Sequence, residues 1–353
     1  MNAPVKSATT VRLLDFGDAQ DVRRVDGFLA EAGASLFHRP AWLQAVQTGT
    51  GQRAAGLLAE KLGTVTGWLP LTEVRSPLFG KALVSSGFGV GGGIMADSDT
   101  GAQALADAAQ SHAMRGGFAG IELRGGPAPD GWEAWSGKHC GFERALARDD
   151  EAELLAIPRK ARAEVRKGLG FNHRITVGRS RHDLAAHYAC YSESVRNLGT
   201  PVFPRALFAA MLEAFADNSD ILTVWQGDTP LASVLSFYHG NAVLPFWGGG
   251  VVAARAARAN ELMYYALMLH ARAVGMARFD FGRSKTGSGP FAFKKNWGFD
   301  PQPLTYAGWT APGEQPRNID PTDASYSRKI EMWKKLPLPI ANTVGPWIAR
   351  GLA

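Results

Sequence analysis

Cysteine is nearly absent from this chain: 353 residues contain two, Cys140 and Cys190. Two thiols give no disulfide framework, and neither stands at a metal-ligand spacing. The expectation is a reducing compartment, no bound metal, and two small buried hydrophobes. Long apolar runs are missing as well. None approaches the ~20 residues of a membrane-spanning helix, and Met1-Asn2-Ala3-Pro4-Val5-Lys6-Ser7 contains no apolar signal core. A cytoplasmic protein is therefore expected. His173, His182 and His187 lack the mutual spacing of a metal site or a catalytic triad. Disorder is excluded by composition, because 46% of the residues are hydrophobic and 20% charged. Acid is scarce in one segment above all: Arg159, Lys160, Arg162, Arg166, Lys167, Arg174, Arg179 and Arg181 stand against Glu164 alone. Such a strip suits the phosphates of a tRNA, a nucleotide-sugar or a lipid pyrophosphate, or else it is the solvated face of a helix and its following strand.

What the chain has in plenty is glycine, and its glycines repeat a pattern about 157 positions apart. Phe88-Gly89-Val90-Gly91-Gly92-Gly93-Ile94 is echoed by Phe246-Trp247-Gly248-Gly249-Gly250-Val251. Gly120-Ile121-Glu122-Leu123-Arg124 is echoed by Arg278-Phe279-Asp280-Phe281-Gly282, and Cys140-Gly141-Phe142-Glu143 by Trp297-Gly298-Phe299-Asp300. Gly93 and Gly141 are as far apart as Gly250 and Gly298, so the reading is two structural copies in tandem. The length suits two domains plus tails. Residues 1–34 form a strand and helix leading into a first domain, 35–150. A second domain, 151–310, begins with a basic linker helix, and 311–353 is a linker followed by a docked tail.

Local patterns fill in the copies. Pro40 opens a helix whose Trp42, Leu43 and Val46 share a packing face. Residues 54–60 and 65–71 form a hairpin about Lys61-Leu62-Gly63-Thr64, and 101–115 is a helix with Leu105, Ala109 and Ala113 on one face. In the second copy, 221–225 and 231–238 form the hairpin and 241–247 the next strand. Asn260 caps a buried helix that runs from Glu261 to Ala273. Two helices, 184–195 and 205–216, bridge the copies. Each copy is thus hairpin, strand, glycine-rich turn, helix and strand, which predicts an α/β fold with a mixed, mostly antiparallel sheet flanked by helices.

A strand, a glycine turn and a helix N-terminus together suggest the core of GNAT-type N-acyltransferases, whose helix amides hold a donor pyrophosphate. The GNAT fingerprint Arg/Gln-x-x-Gly-x-Gly/Ala falls on Arg255-Ala256-Ala257-Arg258-Ala259-Asn260, with arginine and asparagine where small residues belong. In the first copy Met95-Ala96-Asp97-Ser98-Asp99 is acidic and repels phosphate. Pro158-Arg159-Lys160-Ala161-Arg162, Gly199-Thr200-Pro201-Val202-Phe203-Pro204 and above all Phe291-Ala292-Phe293-Lys294-Lys295-Asn296-Trp297-Gly298-Phe299 resemble tandem-GNAT proteins of the FemAB type. Asp280-Phe281-Gly282-Arg283-Ser284-Lys285 and the tail Trp333-Lys334-Lys335-Leu336-Pro337 look like the subgroup associated with exopolysaccharide and the PEP-CTERM/exosortase system.

The resemblance implies two tandem acyltransferase domains that transfer an activated acyl or aminoacyl group to an amine of a cell-envelope or exopolysaccharide precursor or peptide. Lys294 matches the lysine that stabilises the developing oxyanion, with Lys295 as its rival. Asp280 is the candidate proton acceptor, with Glu122 at the matching place in the first copy. Phe293, Lys295, Arg283, Lys285, Arg159, Arg162, Arg166 and Trp247 are the expected substrate- or donor-binding residues. No cofactor is expected to stay bound; the co-substrate is aminoacyl-tRNA or acyl-CoA. Further expected partners are a phosphate-bearing envelope precursor as acceptor and a peripheral contact with the inner membrane through the apolar and basic tail, with no DNA. Two other readings stand: an acyl-CoA-dependent acetyltransferase acting on a polysaccharide sugar, and a non-catalytic adaptor of polysaccharide assembly.

Overall fold

The computed structural model describes residues 9–315, 317 and 324–353. They divide into two compact units. Unit 1 holds Met1–Ser136, Thr305–Ile319 and Arg350–Ala353; unit 2 holds Gly137–Leu304 and Asp320–Ala349. The first passage between units therefore falls at residue 136/137, ahead of position 150, and the chain returns to unit 1 before position 310.

Unit 1 runs β1 (Thr10–Leu13), α1 (Ala19–Glu31), α2 (Pro40–Thr50), β2 (Arg53–Ala54), β3 (Leu57–Lys61), β4 (Thr64–Leu69), β5 (Leu71–Ser76), β6 (Gly80–Ser85), β7 (Met95–Ala96), α3 (Asp99–Gly116) and β8 (Gly120–Arg124). Pro40 takes the first turn of α2, where its missing N–H has no partner to lose, and Trp42, Leu43 and Val46 are fully buried. The β3–β4 hairpin turns on Leu62 and Gly63, both at positive φ. Ser98 caps α3, which buries Leu105, Ala109 and Ala113 and stops at Gly117 in the left-handed region. Parallel pairing of β6 with β8 around α3 makes a βαβ unit, and residues 306–310 flank β8 on its other side.

Unit 2 takes up the chain within β9 (Glu133–Ala145) and continues through α4 (Asp150–Ala156), α5 (Arg159–Leu169), β10 (Arg174–Gly178), α6 (Arg181–Leu198), α7 (Arg205–Ala214), β11 (Ser219–Gln226), β12 (Thr229–His239), β13 (Ala242–Gly250), α8 (Ala259–Ala273), β14 (Arg278–Asp280), β15 (Ser284–Lys285), α9 (Gly289–Asn296) and the start of β16 (Pro301–Thr310). Two helices close it, α10 (Ala324–Lys334) and α11 (Leu338–Ala349). The sheet order is β10-β11-β12-β13-β14-β9, all antiparallel but for β13 and β14, which are parallel and joined by α8. Ser180 and Asp183 form a reciprocal capping box that starts α6. Alternate residues of β12 serve the two faces of the sheet. Ala232 and Val234 enter the core cluster that contains Leu262, Met263 and Leu267 of α8, while Ser233 meets His187 of α6.

The repeated strand–helix–strand unit is thus present in both units, and two local expectations need correction. Gly248, Gly249 and Gly250 are not a turn but the end of β13, paired with Val234, Ser233 and Ala232. They are glycine because their neighbours leave no room: a Cβ on Gly249 would lie 2.5 Å from the Ser194 Cβ of α6, and one on Gly250 would lie 2.4 Å from Asn260 Oδ1. Asn260 does not cap α8; Arg258, at φ 55°, precedes the helix and Asn260 sits in its first turn. The tail docks on α6, with Arg196 Nη1 donating to Leu336 O at 3.0 Å. Residues 316 and 318–323 of the expected linker lie outside the described residues.

His187 lies wholly inside unit 2, its Nδ1 3.2 Å from Ser233 Oγ and its ring against Tyr191 and Phe208. Burial holds its pKa down at about 3, from an ordinary 6.5. Between those values the unfolded chain binds a proton that the folded chain does not, so stability falls as pH drops. The expected slope is about 1.4 kcal/mol per pH unit, and His187→Phe should flatten it in urea unfolding measured from pH 6.5 downward.

Candidate functional site

The chemistry-bearing side chains of unit 2 gather where its two parallel strands part. β13 and β14 pair at Ala242↔Arg278 and Val243↔Phe279 and no further. β14 then follows β9, with Asp280 opposite Glu143 and Ser284 opposite Cys140, while β13 keeps to β12 as far as Gly250. A bulge at Phe246, between the pairs Leu235↔Trp247 and Ser236↔Pro245, bends β13 at the same level. The result is a wedge with one wall of β13 backbone, from Leu244 onward, and the other of residues 280–285. A strand edge without a ladder partner offers N–H and C=O groups to any extended ligand that carries amides.

The second wall is built around Lys294. This residue is only 8% exposed, and its Nζ donates to Gly282 O at 3.1 Å and Arg283 O at 3.0 Å. The ammonium also stands 5.4 Å from the ring centres of Phe142 and Phe281. Helix α9 presents it: Ser288 caps the helix, Pro290 lies in the first turn, and Trp297 is buried at the end. Burial lowers the Lys294 pKa to about 8, partly opposed by the charge of Asp280. Asp280 is half-buried. Desolvation raises its pKa, while the bond it accepts from Gly282 N, 2.9 Å from Oδ1, works the other way. A carboxyl whose pKa is raised by desolvation beside a buried ammonium is a candidate proton acceptor.

Other expected site residues are placed as follows. Phe293 packs on Tyr264, Phe281 and Trp297 and so lines the base of the wall. Lys295 is exposed, with Nζ 5.9 Å from the Phe291 ring centre. Arg283 and Lys285 lie on the wall itself, Lys285 paired with His139 of β9. Trp247 is 5% exposed and surrounded by Phe203, Phe208, Phe237 and Phe246, so its ring belongs to the core rather than to the wedge surface. Arg159 and Arg166 are exposed on α5, and Arg162 Nη1 donates to Leu155 O. The start of α5 approaches the end of α9, where a Cβ on Gly298 would lie 3.1 Å from Pro158 Cδ.

Sequence reasoning missed Glu193. Its carboxylate, from α6, accepts a hydrogen bond from Val252 N at 2.8 Å, just beyond the end of β13. Glu261 adds a second acid in the first turn of α8. The segment between β13 and α8, together with the first turn of that helix, therefore holds two of this chain's own carboxylates. An isolated glutamate in a helix carries no sequence signal for such a contact. Among the described residues, no group of three or more His, Cys, Asp or Glu side chains is placed to hold a metal ion.

In unit 1 the matching wedge is closed. The strand that corresponds to β13 is broken into β6 and β7, and the glycine loop between them fills the gap: a Cβ on Gly93 would lie 1.8 Å from Gly125 O. Arg124 Nη1 donates to Gly89 O at 2.9 Å, and His38 Nε2 lies 3.1 Å from Gly93 O. Glu122 is engaged by Arg124 Nε at 2.7 Å.

Residues 157–295 match the family described as acetyltransferase (GNAT) domain. No curated protein matches the chain. Among solved structures, FemX is similar at 15% identity with a TM-score of 0.62, over 80% of this chain and 95% of that one. A tandem GNAT protein from the clavulanic acid biosynthesis pathway is similar at 12% identity with a TM-score of 0.56, over 87% and 100%. L-PGS from Bacillus licheniformis is similar at 13% identity with a TM-score of 0.54, over 95% and 97%. At such identities the likeness is one of fold, and the fold is a tandem pair of GNAT-type domains.

Proposed function

We propose that unit 2 transfers an aminoacyl group from an activated ester to an amine of a phosphate-bearing envelope precursor. The observation that carries this reading is the wedge between β13 and β14, with Asp280 and the Lys294-held loop on one wall. The match of residues 157–295 to a GNAT acetyltransferase domain supports acyl transfer in general. The carboxylates at Val252 N and in the first turn of α8 favour a donor other than acyl-CoA.

In the reaction the acceptor nitrogen forms the new C–N bond and the donor ester C–O bond breaks. The amine proton passes to the Asp280 carboxylate and then to the departing alkoxide oxygen, which leaves as a hydroxyl. Lys294 holds the loop from behind by its two carbonyl bonds. Its fixed positive charge, poorly screened where water is excluded, favours the negative charge that appears on the carbonyl oxygen only as the bond forms. Arg159 and Arg166 at the basic helix bind phosphate of the acceptor or donor. Exopolysaccharide or PEP-CTERM-linked envelope assembly, at the cytoplasmic side of the inner membrane, is the setting this substrate class fits.

Purified protein incubated with mixed aminoacyl-tRNAs and an amine-bearing, phosphate-linked precursor should yield product heavier by one aminoacyl residue in mass analysis. Lys294→Ala should lower turnover on the order of 10²-fold, roughly 2.7 kcal/mol, and an unchanged rate would remove its assigned role. Because the ammonium is the working form, turnover should decline as pH rises through about 8, the folded pKa of Lys294. Acetyl-CoA should leave the melting temperature unchanged. A rise equivalent to about 2.7 kcal/mol, as for a specific donor at ~100 times its dissociation constant, would instead favour the acyl-CoA-dependent reading.

A further inference from the structure

Helix α11 is turned inside out. Its small residues Ala341, Gly345 and Ala349 are buried, while Ile340, Val344 and Trp347 are exposed at 49%, 41% and 46%. The spacing of the exposed three, i, i+4 and i+7, puts them on one face. An ordinary surface helix does the opposite, burying its large apolar residues against the core. Helix α11 cannot simply roll over to hide them. Val202 lies against Gly345, where a Cβ would come within 2.9 Å of Val202 Cγ1, and Asn342 Nδ2 donates to Ser192 Oγ of α6 at 3.3 Å. The buried side is matched to its neighbours by the absence of side chain, so the bulky side must face out.

The surroundings carry an excess of basic residues. Helix α11 itself contains no charged residue, and the segment before it supplies Arg328, Lys329, Lys334 and Lys335 against Glu331, which is paired with Lys334 at 2.7 Å. Met332 on α10 is also exposed, at 71%. Twelve residues span ~18 Å, well short of the ~30 Å hydrocarbon core of a bilayer. No helix among the described residues is long and apolar enough to cross a membrane.

We propose that α11 lies along the surface of an anionic phospholipid bilayer. Ile340, Val344 and Trp347 enter the boundary between headgroups and acyl chains, and the cations of the α10–α11 segment meet lipid phosphates. A tryptophan beside aliphatic residues suits that boundary, where one end of the ring is apolar and the other wet. A second copy of the chain is the poorer occupant: a twofold contact through this face brings the two basic segments together and places like charges opposite one another. The inference stands apart from the acyl-transfer reading, since none of its residues belongs to the wedge.

The full chain is tested by sedimentation with vesicles of phosphatidylcholine alone and of phosphatidylcholine with phosphatidylglycerol. It should partition onto the anionic vesicles, and high salt should weaken the binding. The combined change Ile340→Ser, Val344→Ser and Trp347→Ser should lower partition about tenfold or more, while Leu78→Ser, at an exposed position of unit 1, should leave it unchanged. Absence of binding to either vesicle, equal binding by the triple variant, or a concentration-dependent dimer that the triple variant abolishes would each overturn the proposal. Should the triple variant fail to fold, Val344→Cys carrying an environment-sensitive dye decides instead. A blue shift on adding anionic vesicles supports the placement, and an unchanged spectrum refutes it.

Discussion

Two parallel strands that pair over two positions and then separate set the terms for everything else in unit 2. Once β14 leaves β13 at Phe279, the pairing on that edge ends, while β9 goes on pairing the other edge at Asp280 and again, after a gap, at Ser284. The intervening Gly282-Arg283 segment bulges out of the ladder, with Gly282 at φ 68°. Lys294 ties that bulge down. Burying an ammonium is costly, and here two carbonyls, two aromatic faces and the nearby Asp280 offset the cost. The arrangement keeps one wall of the wedge rigid and positively charged without spending an exposed side chain on it.

The two units show how one topology yields opposite outcomes. In both, a helix crosses between parallel strands. In unit 1 the glycine loop is drawn into the opening, so that Gly93 meets Gly125 O and Arg124 fastens Gly89. Ser86 and Phe88 hold positive φ within this loop, a strained conformation that the packing around Phe37 and Pro70 maintains. In unit 2 the matching glycines remain in the strand and make room for α6 and the turn before α8. Glycine serves close approach in both cases, but in one it closes a cleft and in the other it lets a helix press against an open one.

Electrostatics separates the start of α8 from an ordinary phosphate cradle. A helix N-terminus attracts anions through its free amides, yet Glu261 stands in the first turn of α8, and Glu193 occupies Val252 N in the segment that leads from β13 to that helix. Arg258 forms an ion pair with Glu164 at 2.7 Å. Arg258 is thus paired within the chain, while Arg159 and Arg166 of α5 remain exposed.

Much of the architecture was legible in the residues. Pro40, Ser98 and the Leu62-Gly63 turn act through local geometry, so helix starts and hairpins follow from a few neighbouring positions. The β11–β12 hairpin and the burial of α8 follow in the same way from alternation and from an apolar surface nearly all round. Lys294 is singled out by the resemblance and Asp280 by its place matching Glu122 in the repeat. Their burial is not legible there, since it depends on Phe142, Phe281 and a loop brought from distant parts of the chain. Likewise Gly248 to Gly250 read as a turn because glycine permits one, and only the approach of α6 and Asn260 decided that they extend a strand. Asn260 itself resembled a cap until Arg258 took the left-handed position before the helix. Local propensity is encoded within a few residues and is therefore readable in sequence; which strands separate, which charges become buried and which face of α11 is left outward depend on contacts between distant segments, and these exist only in the folded chain.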